Sequence, residues 1–304
     1  MELRQLLSLR EVVREGSFTA AARSLHMTQP AVSLHIKGLE KELGARLMER
    51  DGRGVRLTPA GEVLLQAAEV VLAATDDAVR RIQEMEAPER GTVLLACGDT
   101  VALRLLPPVL QAFRKLRPQA EVAIRNHGSR RILDLVLRRE VDLGIVTRPP
   151  WLDPALWART LLEEPFELAL PPDHALATEE SVDLPRLEGE PAVLLAKPSE
   201  TRALIDRGLR DAGAQLSVVM ESGNLEVVKA YVADGLGISL LPAMGITEDD
   251  RERLALRPVP ATFPQRKLAL VRRKDRVPGL LAADLLRLLA ERFRSTERSA
   301  DEGS

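Results

Sequence analysis

One long segment without helix breakers divides this 304-residue chain into two unequal parts. Thr58-Pro59 pairs a helix N-cap with a proline in the first turn, and from there to Ala87 only Gly61 interrupts the pattern. Apolar residues follow one side of the segment, so we predict a helix over 59–87, about 40 Å long at 1.5 Å per residue. A helix of that length needs a partner for its apolar side. We expect the same helix of a second subunit, with an intramolecular core helix as the alternative.

The two parts differ in charge. Residues 1–58 carry ten basic and seven acidic residues, whereas the remainder carries 33 basic and 38 acidic ones. A basic end on an acidic body permits DNA contact by one domain. No apolar run is long enough for a membrane span, and the charged N-terminus is unlike a secretory signal. A lone cysteine, Cys97, cannot form an internal disulfide or a CxxC metal site, so we expect a cytoplasmic protein without metal or membrane partner.

The pattern of residues 1–58 predicts three short helices and a hairpin. Thr28 is placed as an N-cap of the third helix, Pro30 lies in its first turn, and Gly44 ends it. The second and third helices, joined by a tight turn at about residues 25–28, form a helix-turn-helix. Two short strand patterns around the turn Asp51-Gly52-Arg53-Gly54 predict the wing of a winged helix.

The third helix offers a polar face that suits the DNA major groove. Gln29, Ser33 and Lys37 share one side at i, i+4 and i+8, with Pro30 beside them and His35 at the flank. Glutamine pairs with adenine, serine with base or phosphate, and proline contacts a thymine methyl. His35, Lys37, Arg53 and Arg56 suit the phosphates. The alternative is that this face is simply solvated.

Beyond residue 91, strand-like runs alternate with amphipathic helices, the pattern of an α/β domain with mainly parallel sheets. The break at residues 88–91 (PERG) marks its start. We expect two lobes, the first over about 91–162 and 267–295 and the second over about 163–266. Ligands in such folds bind beyond the carboxyl ends of the strands, so a cleft between the lobes is expected.

Polar residues gather at those predicted strand ends. They are Asp99, Thr100, His127, Thr147, Ser199, Thr201 and Asn224. Thr100, Ser129 and Ser199 each precede a predicted helix, so backbone N–H groups and helix dipoles would converge on a small anion, typically a carboxylate. For each hydroxyl taken singly, an ordinary helix cap is the alternative.

Asp99 is the exception among these residues because its charge would repel an anion. Lys197, Arg202 or His127 would have to offset that charge. Otherwise the ligand carries an amine, or the site is altered or vestigial.

Several stretches carry a family resemblance. They are residues 3–6 (LRQL), 16–22 (GSFTAAA), 25–33 (LHMTQPAVS), 36–44 (IKGLEKELG) and 54–61 (GVRLTPAG). They resemble LysR-type transcriptional regulators, and residues 105–107, 141–145 and 233–242 are similar to the effector-binding half of that family. That half is similar to periplasmic binding proteins.

The resemblance implies roles for individual residues. In the family, the residues that contact the operator are those that match Thr28, Gln29, Pro30, Ser33 and Lys37. The wing residue that matches Arg53 contacts the DNA backbone or the minor groove. Effector residues carry over to Thr100, Thr147, Ser199, Thr201 and Asn224. Two positions depart from the family, which usually has Arg or Gln where this chain has His35, and Ser or Thr where it has Asp99.

These observations predict a winged helix-turn-helix (1–58), a linker and dimerisation helix (59–87), and a two-lobed α/β effector-binding domain (88–304). The expected function is control of transcription at a near-palindromic operator by a small effector, a carboxylate or an amino acid, with no other cofactor. The partners would be double-stranded DNA, a second or further copies of the chain, and RNA polymerase if the protein activates. A regulator with a vestigial, ligand-independent C-terminal domain is the alternative.

Two other classes are disfavoured. An enzyme built on Cys97 and His127 lacks the acidic partner that completes a nucleophilic triad. A transport receptor would need an export signal.

Overall fold

The computed structural model describes residues 1–51, 54–86 and 89–301. The chain divides into two compact units, Met1–Glu86 and Ala87–Ser304. Within the described ranges, no helix combines the length and apolarity that crossing a bilayer requires.

The first unit is a winged helix-turn-helix followed by one long helix. Its elements are α1 (Leu3–Glu15), α2 (Phe18–Ser24), α3 (Gln29–Leu43), β1 (Met48–Asp51), β2 (Gly54–Leu57) and α4 (Pro59–Glu86). The hydroxyl oxygen of Thr28 accepts a hydrogen bond from the Ala31 amide at 3.4 Å, and Gly44 ends α3 in the left-handed conformation at φ 63°. Strands β1 and β2 pair antiparallel. The predicted helix-turn-helix and wing are confirmed.

The core of this unit forms between α1, α2 and α3 and continues into α4. Leu9 and Val12 of α1 and Leu39 of α3 are completely buried. Leu64, Ala68 and Leu72 of α4 join the same cluster. The first half of α4 is therefore an intramolecular core helix, the alternative that the sequence left open.

The second unit contains ten strands and six α-helices within the described residues. They are β3 (Gly91–Cys97), α5 (Leu106–Leu116), β4 (Ala120–Asn126), α6 (Ser129–Leu137), β5 (Leu143–Thr147), β6 (Leu156–Glu164), β7 (Phe166–Leu170), β8 (Pro191–Leu195), α7 (Glu200–Asp211), β9 (Ser217–Ser222), α8 (Leu225–Ala233), β10 (Ser239–Pro242), α9 (Glu248–Arg253), β11 (Ala255–Pro258), β12 (Arg266–Arg273) and α10 (Leu280–Asp301). A π-helical turn, Val101–Leu105, leads into α5.

Parallel pairing is less general than the sequence predicts. In the five-stranded sheet, ordered β4-β3-β5-β12-β6, the first three strands are parallel, but β12 runs antiparallel to both neighbours. In the second lobe, β8 and β9 are parallel, whereas β10, β7 and β11 form an antiparallel sheet. Strand β12 joins the first sheet after the chain has returned from the second lobe, and it runs opposite to β5 and β6.

Gly61 explains the one interruption in the pattern of α4. A Cβ on Gly61 would lie 2.1 Å from the backbone oxygen of Leu47, so the helix starts in direct contact with the chain entering β1. Thr58 fixes the same junction: its amide donates to the Leu47 carbonyl at 3.0 Å, and its hydroxyl accepts from the Gly61 amide at 3.1 Å.

Replacing Gly61 with alanine tests this junction. Alanine gains about 1 kcal/mol over glycine in a helix interior, but the clash is with backbone, and overpacking costs about 1–3 kcal/mol. We expect Gly61→Ala to lower the thermal unfolding midpoint, measured by circular dichroism, whereas Gln66→Ala at an exposed position of α4 leaves it unchanged or higher. A Gly61→Ala protein as stable as the parent would contradict the close approach.

Candidate functional site

The candidate DNA-contacting residues of α3 differ in how exposed they are. Thr28, Pro30 and Lys37 are exposed, whereas Gln29 and Ser33 are half-buried. Leu34, which the sequence analysis passed over, is 69% exposed. Leu34 is not part of the predicted polar face, although its spacing of four residues from Pro30 indicates that both lie on the same side of α3.

His35 lies on the other flank of α3, against α1. Its Nδ1 is 2.7 Å from the hydroxyl of Ser8, which is completely buried and donates its own proton to the Arg4 carbonyl at 2.9 Å. Which atom donates in this contact depends on the tautomer of the ring. The ring is thus held by the α1–α3 packing through Nδ1, and the predicted phosphate contact of His35 would require a hydrogen on Nε2.

The two wing residues differ in what is described. Arg56 is exposed on β2, directly across the hairpin from Glu49. Arg53 lies outside the described residues.

In the second unit, a cavity of about 230 Å³ opens at the carboxyl ends of β3, β4 and β5. Six of the seven candidate effector residues line it: Asp99, Thr100, His127, Thr147, Ser199 and Thr201. Asn224 does not, although its neighbours Gly223 and Leu225 do. Its side-chain oxygen caps α8 instead, accepting from the Glu226 amide at 2.8 Å.

The predicted helix caps are only partly observed. Ser199 caps α7, accepting from the Arg202 amide at 3.4 Å. Thr100 makes no capping bond with its side chain. Ser129 is the first residue of α6 rather than its cap, and its hydroxyl accepts from the Thr147 amide at 3.0 Å.

Arg266 is the cavity residue that sequence reasoning missed. Only 5% of it is exposed, and its Nε donates to the Thr147 hydroxyl at 3.1 Å. The Thr147 hydroxyl lies 3.2 Å from that of Thr201 on α7, so a hydrogen-bonded chain runs across the cavity wall. A basic residue at the start of a predicted strand was the available signal, but the predicted lobe boundary fell at 267.

The charge of Arg266 is balanced by Glu164, whose Oε1 lies 3.3 Å from the guanidinium. The Met244 amide donates to the other carboxylate oxygen at 2.5 Å. Burial raises the pKa of Glu164 and lowers the pKa of Arg266, while their mutual attraction opposes both shifts.

Of the three residues named to offset the charge of Asp99, only His127 lines the same cavity. Arg202 is buried outside it and pairs with Asp206 and Glu221, both at 2.7 Å. Lys197 Nζ is 3.5 Å from Asp206. Both cations are therefore paired with other carboxylates. Asn126 instead donates to the Asp99 carboxylate at 2.6 Å.

Cys97 is completely buried at the end of β3. Burial, with a smaller contribution from Asp99, raises the pKa of its thiol to about 12. The thiolate, which is the nucleophilic form, is therefore scarce at neutral pH.

Comparison with known proteins agrees with this architecture. Residues 3–62 match the family model "Bacterial regulatory helix-turn-helix protein, lysR family", and residues 86–294 match "LysR substrate binding domain". The chain is 32% identical to the HTH-type transcriptional regulator AlsR of Bacillus subtilis over 80% of this chain and 81% of that protein. It is also 32% identical to the uncharacterized regulator YbhD of Escherichia coli over 95% and 90%, respectively.

Solved structures show the same fold along nearly the whole chain. A full-length OxyR variant from Pseudomonas aeruginosa matches with 26% identity and a TM-score of 0.69, covering 97% of this chain and 95% of that one. CbnR in complex with its target DNA matches with 24% identity and a TM-score of 0.69, covering 96% and 99%.

The helix-turn-helix and the two-lobed ligand-binding fold together define a DNA-binding transcriptional regulator rather than an enzyme. The chain belongs to the LysR family of transcriptional regulators, with an effector-binding domain as its second unit.

The raised pKa of Cys97 predicts slow alkylation. With a thiol pKa of about 12, only about one molecule in ten thousand carries the thiolate at pH 8. We expect iodoacetamide to leave the native protein unmodified at that pH and to alkylate it fully in urea, as measured by mass spectrometry. Rapid modification of the native protein would show that the thiol is accessible and its pKa ordinary.

Proposed function

We propose that this regulator reads a near-palindromic operator with α3 and responds to a small amino acid bound in the cavity at the strand ends. The observation that carries the proposal is the convergence of Asp99, Thr201 and Arg266 on that cavity. The same proposal includes a location in the cytoplasm, together with the DNA on which the protein acts.

The DNA-binding half of the proposal rests on the N-terminal end of α3. A recognition helix enters the major groove with its N-terminal residues towards the base edges. Thr28 and Pro30 are exposed there, and Gln29 is half-exposed beside them. Exposed Lys37 lies two turns further along, which suits the phosphate backbone.

The exposed apolar side chains of α4 support self-association. Val63 is 71% exposed, Val70 41% and Val71 43%, and these positions share a face at i, i+7 and i+8. Ile82 is 59% exposed near the end of the helix. We propose that α4 of a second subunit covers these side chains in a dimer, which presents two copies of α3 to a near-palindromic site. Assembly to a tetramer and contact with RNA polymerase in activation belong to the same proposal.

The charges of the cavity favour an amino acid over a simple carboxylate. Arg266 is a buried cation in the wall and attracts a carboxylate, while Asp99 at the end of β3 attracts an amine. One strand, β5, separates β3 from β12, so these two strands lie about 10 Å apart. Asp99 follows the end of β3 by two residues, and Arg266 begins β12. A ligand carrying both groups satisfies both ends, whereas a simple carboxylate is repelled at one.

The ligand-independent alternative also has an observation in its favour. Glu164 already balances Arg266, and Asn126 already holds Asp99. Both charges are therefore partnered without a ligand.

Two substitutions on α3 separate base reading from phosphate contact. Gln29→Ala should relax sequence preference, whereas Lys37→Ala should weaken all duplexes alike and reduce the slope of log affinity against log salt by about one. Fluorescence anisotropy on a selected and a scrambled duplex at several salt concentrations measures both. Lys115→Ala, at an exposed position of α5 in the second unit, is the matched control. An unchanged sequence preference in Gln29→Ala would refute this reading face.

Thermal-shift screening of the full chain with amino acids and small carboxylates tests the cavity. A ligand at 100 times its Kd stabilises by about 2.7 kcal/mol, and we expect amino acids to give the largest shifts. Thr201→Val should remove the shift and keep operator binding, because Thr201 lines the cavity and Thr178, the site of the control Thr178→Val, does not. No shift from any compound would favour the ligand-independent alternative, and loss of both functions would indicate misfolding.

A further inference from the structure

The recognition helix presents a row of exposed side chains whose chemistry changes along its length. The row consists of Pro30, Leu34, Lys37 and Lys41. At 3.6 residues per turn these positions lie within about 60° of one another around α3. The half nearer the helix N-terminus is therefore apolar, and the half nearer the C-terminus is cationic.

Leu34 is the unusual member of this row. It is 69% exposed, while Val32, Ile36 and Leu39 of the same helix are at most 2% exposed. A single exposed leucine needs no explanation on an ordinary surface. Here its position is informative, because it follows Pro30 by one turn on the helix that we assign to the groove.

The only apolar group on a base edge in the major groove is the 5-methyl of thymine. A leucine side chain has no donor or acceptor, so against any other base edge it would displace water from polar atoms without replacing the hydrogen bonds. The lysines one and two turns further along carry the charge that suits the flanking phosphates.

We propose that Leu34 is a specificity-determining residue that recognises the 5-methyl group of a thymine in the operator. Pro30 and Leu34 are about 6 Å apart along the helix axis, so together they form one apolar surface that faces the base edges. This inference rests on the proposed placement of α3 in the major groove.

In vitro selection from a randomised duplex library, followed by replacement of single thymines with uracil, tests the proposal on the full-length protein. Uracil lacks only the methyl group. Selection with the parent chain should yield a site with a preferred thymine at which uracil lowers affinity about fourfold, the effect of burying one methyl. Leu34→Ala should show no preference for thymine there and equal affinity for the two bases.

Two further variants serve as controls. Leu34→Met keeps an apolar side chain and should retain the preference for thymine. Leu43→Ala removes the same side chain from a position on α3 that is 47% exposed but lies at the far end of the helix, and it should behave as the parent.

Three results would overturn the proposal. One is a parent protein that tolerates uracil at every thymine of its selected site. Another is equal sensitivity to uracil in the parent and Leu34→Ala proteins. The third is a parent protein that selects no sequence at all, which would refute both the placement of α3 in the groove and the role of Leu34. A selected site at which uracil binds as well as thymine would refute only the role of Leu34.

Discussion

A guanidinium buried at the base of the cavity requires the surrounding residues to balance its charge and accept its hydrogen bonds. Arg266 meets this demand through Glu164, directly across the sheet in register, and through Thr147 on the neighbouring strand. Thr147 in turn contacts Thr201 on α7. The interactions of one side chain thus connect the end of β6 to the end of β5 and the start of α7, which both line the proposed effector site.

This ion pair is a poor device for stability. Buried pairs replaced by well-packed apolar residues often leave a protein as stable or more so, whereas removal of one partner costs about 3–5 kcal/mol. Arg266 contributes little to folding stability and lines a polar cavity. Its presence is therefore better explained by the ligand that it would face.

The predictable parts of this molecule depend on short-range chemistry. Thr28, Pro30 and Gly44 bound α3 through capping and backbone preferences that act within one turn, and six cavity residues followed from their place at strand ends. The missed parts depend on distant pairing. Nothing local shows that Arg266 faces Glu164, a hundred residues earlier in the chain, or that Glu221 of the next strand pairs with Arg202.

The contact between Gly61 and Leu47 has a mechanical consequence. Because α4 begins against the backbone that enters β1 and sends Leu64, Ala68 and Leu72 into the winged-helix core, the helix has no free joint at its start. The winged helix and this part of α4 therefore form one continuously packed body. A rotation applied further along α4 would therefore be transmitted directly to α3. Even a small rotation of α4 would change the angle at which α3 approaches the DNA.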